Sequence, residues 1–240
     1  MPHNFPSSLI PANEAARLRT LHLYQIVNTT PEPIFDAYVA WAAQLFNTPI
    51  SLISLVDEEQ VWFKAAVGSG GIMQLERTES MCSAAILPDV PIVLSDYRPE
   101  SCELIKPDVA QAIGLNFYAG AALRMPDGAR IGMMAVIGKE ERPFSEAESD
   151  VLTKLAGLVS QTIELRFHYL VEQQDGEEWE GAQRELAAAL DDNAALARYL
   201  LSRAAHIDLN DETVAQLILR RLESVAKVLE RRLNRLNRVA

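Results

Sequence analysis

Residues 47–66 read NTPISLISLVDEEQVWFKAA, and this stretch decides the fold class. Ile50 to Val56 is short, partly alternating and rich in β-branched residues, which predicts a strand. The acidic residues 57–59 then turn the chain, and Gln60 to Ala66 is typical of the returning strand of a hairpin. We therefore predict that an antiparallel sheet begins here.

Two helices are predicted before this hairpin. Apolar residues recur at near-helical spacing from Ala12 to Ile26, which predicts a leading amphipathic helix. Thr30 can cap a second helix, and Pro31 suits the first turn of that helix. A buried stripe then extends to Phe46, and residues 47–49 end the helix.

More strands follow a glycine-rich loop at residues 68–71. Phe117 to Leu123 and Ile131 to Ile137 are predicted as central strands, joined by a tight turn at residues 125–128. With covering helices, these segments predict an α+β fold around a central antiparallel sheet. Three shorter elements are predicted between the hairpin and these strands: a helix from Ser80 to Leu87, a strand from Pro91 to Leu94 and a helix from Lys106 to Ile113.

A separate helical extension is predicted after the sheet. Ser145 and Glu148 form a capping box that begins a long helix running toward Phe167. The composition then changes, because residues 171–192 are acidic whereas residues 220–238 are rich in arginine. We divide the chain into an N-terminal arm (1–11), a main domain (12–168) and a helical tail (169–240).

The last helix of the tail is predicted to begin at residues 210–212 and to carry an apolar seam. Its basic side chains are expected to pair with the acidic stretch from Glu172 to Glu185, and a surface for nucleic acid or an acidic partner is the alternative. The seam is shorter than three heptads, so a helical hairpin with the Leu186 to Leu201 helix and a coiled coil with another chain both stay open. The seam consists of Ile218, Leu222, Val225, Leu229, Leu233 and Leu236.

Composition excludes several classes of function. The 240 residues are 49% hydrophobic and 23% charged, which suits a globular protein, and the net charge of -11 disfavours nucleic acid and anionic lipid as partners. No apolar run approaches the roughly 18 residues of a membrane-spanning helix. The N-terminus has no signal-peptide pattern, and two cysteines suit a reducing compartment, so we expect a cytoplasmic protein.

The order of elements, together with seven sequence segments, resembles the GAF family of sensory domains. The resemblance covers roughly Ala12 to Phe167. The tail resembles no family. The segments that carry the resemblance are Asn47 to Asp57, Gln60 to Lys64, Ser80 to Ile86, Val93 to Asp96, Phe117 to Leu123, Gly128 to Val136 and Phe144 to Glu148.

The resemblance implies a sheet with helices on one face and a ligand pocket on the other, roofed by the segments between Gly68 and Ile113. GAF pockets take small molecules, among them cyclic nucleotides and bilins, and the flanking helices commonly form dimers that pass a signal onward. Fold does not identify the ligand, so no cofactor is assigned.

The candidate ligand-binding residues combine aromatic walls with a few polar groups, as small-molecule sites do. For Trp62 and Phe63 a place in the sheet core is the competing interpretation, and for Asp96 a helix cap. The four histidines and two cysteines show no metal-ligand spacing, and no catalytic residue is assigned. The candidates are Phe63, Cys82, Asp96, Tyr97, Arg98, Asn116 and Tyr118.

Cys82 suggests an enzymatic alternative. Some GAF proteins reduce free methionine sulfoxide with three cysteines, whereas this chain has Cys82 and Cys102 in a different local sequence. Bilin-binding members commonly have histidine after the attaching cysteine, but Ser83 follows Cys82 here. A buried, unreactive thiol is the simpler interpretation of Cys82.

The sequence thus predicts a non-enzymatic module that senses a small molecule, forms a homodimer or does both, and conveys its state to a signalling partner through the C-terminal helices. Two alternatives remain: a thiol-dependent methionine sulfoxide reductase, and an interaction scaffold with a closed pocket.

Overall fold

The protein folds around a six-stranded antiparallel sheet of order β3-β2-β1-β6-β5-β4. The computed structural model describes residues 8–96, 105, 114–204 and 206–236. The predicted fold class is therefore confirmed. The strands are β1 (Ile50–Val56), β2 (Gln60–Val67), β3 (Gln74–Glu76), β4 (Ile92–Leu94), β5 (Phe117–Arg124) and β6 (Arg130–Gly138).

Helices cover one face of this sheet and extend into the tail. The helix predicted from Lys106 to Ile113 lies outside the described residues. A 3₁₀ turn occurs at Arg77–Glu79, and a π-helical turn occurs at His168–Glu172. The helices are α1 (Glu14–Leu23), α2 (Pro33–Leu45), α3 (Met81–Ala85), α4 (Glu146–Phe167), α5 (Gly176–Arg203) and α6 (Glu212–Leu236).

The two faces of the sheet contact different layers, because side chains alternate along each strand. On β5, Phe117 and Ala119 join the core beneath α2 and α4, whereas Tyr118 between them belongs to a second cluster around α3. The same alternation occurs in β6, where Val136 packs in the core of the helical face and Ile137 packs in the second cluster. The sheet thus separates a helical layer from a second layer of short elements.

The predicted start of the second helix was wrong by two residues. α2 begins at Pro33, with Glu32 in the cap position and no side-chain cap hydrogen bond. The Thr29 hydroxyl and the Thr30 carbonyl instead accept hydrogen bonds from Lys64 Nζ, at 2.7 and 2.8 Å. This segment is therefore held against β2 and cannot begin the helix.

The long helix α4 begins as predicted. Ser145 Oγ accepts from the amide of Glu148 at 3.2 Å, and Glu148 Oε2 accepts from the amide of Ser145 at 2.9 Å. These reciprocal bonds confirm the capping box and satisfy two amides that a helix end would otherwise leave unpaired.

The tail forms a helical hairpin that packs back on the domain. α5 packs against α2, and α6 packs against both α4 and α5. Ile218, Leu222, Val225 and Leu229 of the seam are buried in the same core as the helical face of the sheet. The predicted packing of the seam within the chain is confirmed, while pairing with a second chain stays a prediction.

Charged contacts reinforce this hairpin. Arg232 pairs with Glu178 at 3.0 Å and with Glu185 at 2.9 Å, and Arg231 also pairs with Glu185. The predicted pairing between the basic helix and the acidic stretch is confirmed at these side chains. None of the helices in the described part of the chain combines the length and the apolar character that crossing a membrane requires.

Candidate ligand cavity

A cavity of about 390 Å³ lies on the sheet face opposite the helical layer. Its floor consists of side chains from four strands, and its walls come from the segment after β2, from α3 and the turn before it, and from residues beside β5 and β6. The described floor residues are Ile50, Leu52, Phe63, Tyr118 and Ile137, and the described wall residues are Gly68, Ser69, Gly70, Ile72, Leu75, Glu79, Ser80, Met81, Cys82, Leu115 and Lys139.

Gly68 directly follows β2, at the point where the chain turns into the cavity wall. Its φ is +73°, and a Cβ atom at this position would lie 2.1 Å from the Pro49 carbonyl oxygen. Glycine alone adopts this conformation without strain and tolerates such a close approach of backbone. The glycine-rich segment, which the sequence predicts as a loop, therefore shapes one wall of the cavity.

A small cluster of polar side chains surrounds Cys82 within these apolar walls. The thiol is 2% exposed, and the Tyr118 hydroxyl donates to its sulfur at 3.5 Å. Burial raises the pKa of the Cys82 thiol, although hydrogen bonds with Ser54, Tyr118 and Ser80 act in the opposite direction. The thiol is thus held protonated, which suits a ligand contact better than a nucleophile.

The walls favour a largely apolar ligand. Among the described lining residues, Glu79 and Lys139 carry the charges, while most of the others are aliphatic or aromatic. Sites for drug-sized ligands have this composition, with a few polar groups that fix orientation. The volume also falls within the range of about 300–1,000 Å³ that is usual for such sites.

The structure brings together three of the seven predicted site residues. Phe63, Cys82 and Tyr118 all line the cavity. Asn116 is exposed and donates its side-chain amide to the Lys139 carbonyl at 2.6 Å, so it positions a lining residue without lining the cavity itself.

The other predicted residues lie elsewhere. Asp96 follows β4 and is half-buried, away from the described lining of the cavity. Tyr97 and Arg98 lie outside the described residues, as does Cys102. Trp62 packs against the core of the helical face, which confirms its competing interpretation as sheet core.

A second, more polar groove of about 420 Å³ lies beyond the end of α2, beside the α5–α6 connection. Arg142 lines it, but the guanidinium already pairs with Glu148 at 2.5 Å and stacks over the Phe117 ring at 4.9 Å. The Arg142 guanidinium is therefore already engaged by protein groups, and the apolar cavity is the better candidate site.

Sequence reasoning missed a buried charge network on the other face of the sheet. Glu32, 8% exposed, accepts from Lys64 Nζ at 2.5 Å, from Arg166 Nε at 2.8 Å and from Trp179 Nε1 at 2.8 Å. The carboxylate thereby joins the start of α2, strand β2, helix α4 and the tail helix α5. Lys64 was the available signal, since it is a charged residue within an otherwise apolar strand.

A β-bulge places Lys64 in this network. Ser54 of β1 pairs with Phe63, and Ile53 pairs with Ala65, so Lys64 is the extra residue of β2. Its side chain is almost fully buried on the helical side. Burial lowers the pKa of Lys64, and the hydrogen bond and charge of Glu32 oppose that shift.

Comparisons with known proteins agree with this architecture. The family profile of the GAF domain matches residues 30–163. A cyclic di-GMP phosphodiesterase of Pseudomonas aeruginosa is 31% identical over 154 residues, which cover 64% of this chain and 26% of that protein. The chain thus spans about a quarter of that relative.

Two solved structures are partly similar to this chain. The GAF domain of an Acinetobacter phosphoenolpyruvate-protein phosphotransferase is 21% identical, with a TM-score of 0.46, and covers 62% of this chain and 93% of its own. A free methionine-R-sulfoxide reductase of Neisseria meningitidis is 16% identical, also with a TM-score of 0.46, over 70% of this chain and 96% of its own. Likeness at this level carries no argument about chemistry. From the profile match over more than half of its residues, the chain belongs to the GAF domain family of sensing and signalling modules.

Proposed function

We propose that this chain is a non-enzymatic, cytoplasmic sensory module that binds a small molecule in the cavity and conveys its occupancy through the α5–α6 hairpin. The observation that carries the proposal is the cavity of about 390 Å³, walled by the sheet and by residues of α3, in a domain whose tail packs on the opposite layer. The similarity to a cyclic di-GMP phosphodiesterase supports a role in signalling.

The ligand we propose is largely apolar, with a small number of hydrogen-bonding groups. Phe63 and Tyr118 offer aromatic surface, and the hydroxyl and thiol groups near Cys82 offer neutral hydrogen-bond partners. A polyanionic ligand fits less well, because Lys139 is the cation among the described lining residues. This composition argues against a ligand that carries several phosphates.

The tail offers a surface for a signalling partner. Arg220, Lys227 and Arg235 lie on the face of α6 opposite the buried seam, and they make no ion pair within the described residues. An acidic protein surface would complement these three cations, which alternate along the helix with the exposed Glu223 and Glu230. Association of that kind weakens as salt rises, whereas a homodimer held by apolar contacts does not. Light scattering of the full chain at low and high salt tests the homodimer, since a dimer held by apolar contacts persists at high salt.

Thermal-shift screening tests ligand binding directly. A panel of cyclic nucleotides, heme, bilins, amino acids and fatty acids is screened against the full chain and against a Leu52→Trp variant, whose larger side chain fills the cavity. A compound at about 100 times its dissociation constant should raise the wild-type melting temperature by about 5–10 °C. The filled variant should not respond.

Two outcomes of the thermal-shift screen would contradict the proposal. Equal shifts in both proteins would place binding outside the cavity, and silence across the panel would favour the scaffold alternative. NADPH-coupled reduction of free methionine sulfoxide tests the enzymatic alternative, and activity above that of a Cys82→Ser control would replace our proposal. The raised pKa of the Cys82 thiol leads us to expect no such activity.

A further inference from the structure

Neighbouring residues of β2 reach the two opposite sides of the sheet. Phe63 lines the cavity, while Lys64 extends through the bulge to Glu32 in the helical layer. Because Lys64 has no partner residue on β1, the β1–β2 ladder is interrupted between Phe63 and Ala65. A displacement of Phe63 can therefore move the Lys64 ammonium.

Glu32 is the point where such a movement would reach the tail. Its carboxylate accepts at once from Lys64, from Arg166 of α4 and from the Trp179 indole of α5. Trp179 is 3% exposed and packs in the core shared by α2 and α5. A buried carboxylate that loses one of its cations is poorly compensated, so water entry and separation of its neighbours become more favourable.

We propose that the Lys64–Glu32 ion pair is a latch through which filling of the cavity loosens α5 from α2. This inference rests on the proposed sensory function and adds its route of transmission. A ligand that presses on Phe63 shifts the bulge and draws the Lys64 ammonium away from Glu32, and also from the Thr29 hydroxyl and the Thr30 carbonyl that accept from it. The carboxylate then takes up water, which competes with the Trp179 N–H for Glu32 Oε1.

The latch can be tested without a ligand, by filling the cavity from its wall. Ile72 and Leu75 both line the cavity, and the Met73 carbonyl between them accepts from the amide of Phe63 at 2.8 Å. Ile72→Trp therefore adds bulk beside Phe63, and Leu75→Phe adds bulk to the cavity from strand β3. Hydrogen exchange of the full chain, followed by mass spectrometry, reports how firmly residues 176–190 are docked.

We expect Ile72→Trp to raise the exchange rate of residues 176–190 about fivefold or more, with Leu75→Phe acting in the same direction. Lys64→Met, which keeps the aliphatic stem, should raise this rate by itself, and adding Ile72→Trp to it should give no further increase. If one cavity variant does not fold, the other supplies the comparison.

The latch is refuted if neither cavity variant alters exchange in residues 176–190, or if the effects of Ile72→Trp and Lys64→Met multiply as independent changes do. Because no ligand is used, these outcomes are separate from those of the thermal-shift screen. If no compound raises the melting temperature but the cavity variants speed exchange in residues 176–190, only the proposed function is refuted. If a compound raises the melting temperature but exchange in residues 176–190 is unchanged in the cavity variants, only the latch is refuted.

Discussion

The indole Nε1–H of Trp179 donates to Glu32 Oε1 across 2.8 Å, and this bond joins the tail to the start of α2. The two residues are 147 positions apart and both are buried. Apolar packing alone tolerates small slides of one helix on another, whereas a buried indole bonded to a carboxylate fixes one position. The tail therefore has a defined docking geometry on the domain.

Replacing Trp179 with phenylalanine should weaken the fold through this lost bond. Trp41→Phe is a matched control, because Trp41 is equally buried and its Nε1 has no hydrogen-bond partner within the described residues. Both variants lose similar packing, so Trp179→Phe should be less stable than Trp41→Phe by about 1.5–3 kcal/mol. Urea denaturation followed by circular dichroism measures this difference, and equal midpoints would contradict the role of the bond.

Glu32→Gln should be more damaging, because it leaves two buried cations without their shared carboxylate. Removing one partner of a buried ion pair typically destabilises a protein by about 3–5 kcal/mol. Glu178→Gln is the control, since Glu178 is half exposed and its pair with Arg232 should contribute less than about 1 kcal/mol. Chemical denaturation of the two variants compares them, and similar losses would argue against a special role for Glu32.

The Cys82 thiol should make stability depend on alkaline pH. Burial raises the pKa of Cys82 in the folded chain, so the unfolded chain releases the proton first as pH rises above about 8.5. The folded state binds more protons in that window, and stability must fall as pH increases. Cys82→Ala should lose less stability between pH 8 and pH 10 than the wild type does. Parallel curves for the two proteins would contradict the raised pKa.

The apolar seam of α6 should hold the tail on the domain. Leu229 is fully buried, so Leu229→Asp introduces a carboxylate without a partner and should destabilise tail docking by about 3 kcal/mol or more. Lys227→Asp changes an exposed position on the same helix and should leave docking nearly unaffected. Limited proteolysis of residues 204–211 measures the difference, and equal cleavage rates would mean that the seam does not support docking.

The strands and long helices were predictable because their signals are local. The hairpin at residues 50–66, the turn at residues 125–128 and the capping box of Ser145 each depend on a few neighbouring side chains. The start of α2 was missed because Lys64, more than 30 positions later, draws Thr29 and Thr30 against β2. No local pattern reports a contact of that range.

The lining of the cavity was predicted only in part, because some of its signals are local and others are not. Phe63, Cys82 and Tyr118 line the cavity, and they could be predicted because the family resemblance assigns them to strands and to a helix. Residues in connecting segments, such as Asn116 and Asp96, have no such fixed direction, and the structure places them outside the lining. The Glu32 network could not be foreseen, because Arg166 and Trp179 meet Glu32 only through the folding of the tail onto α2.

Transmission from the cavity to the tail is tested most directly by hydrogen exchange of the wild-type full chain, with and without the compound that gives the largest thermal shift. We predict altered exchange in two separate places: the cavity wall at residues 68–82 and the tail helix at residues 176–190. A change confined to the cavity wall, with the tail helix exchanging at its original rate, would contradict the claim that the cavity reports its occupancy to the tail.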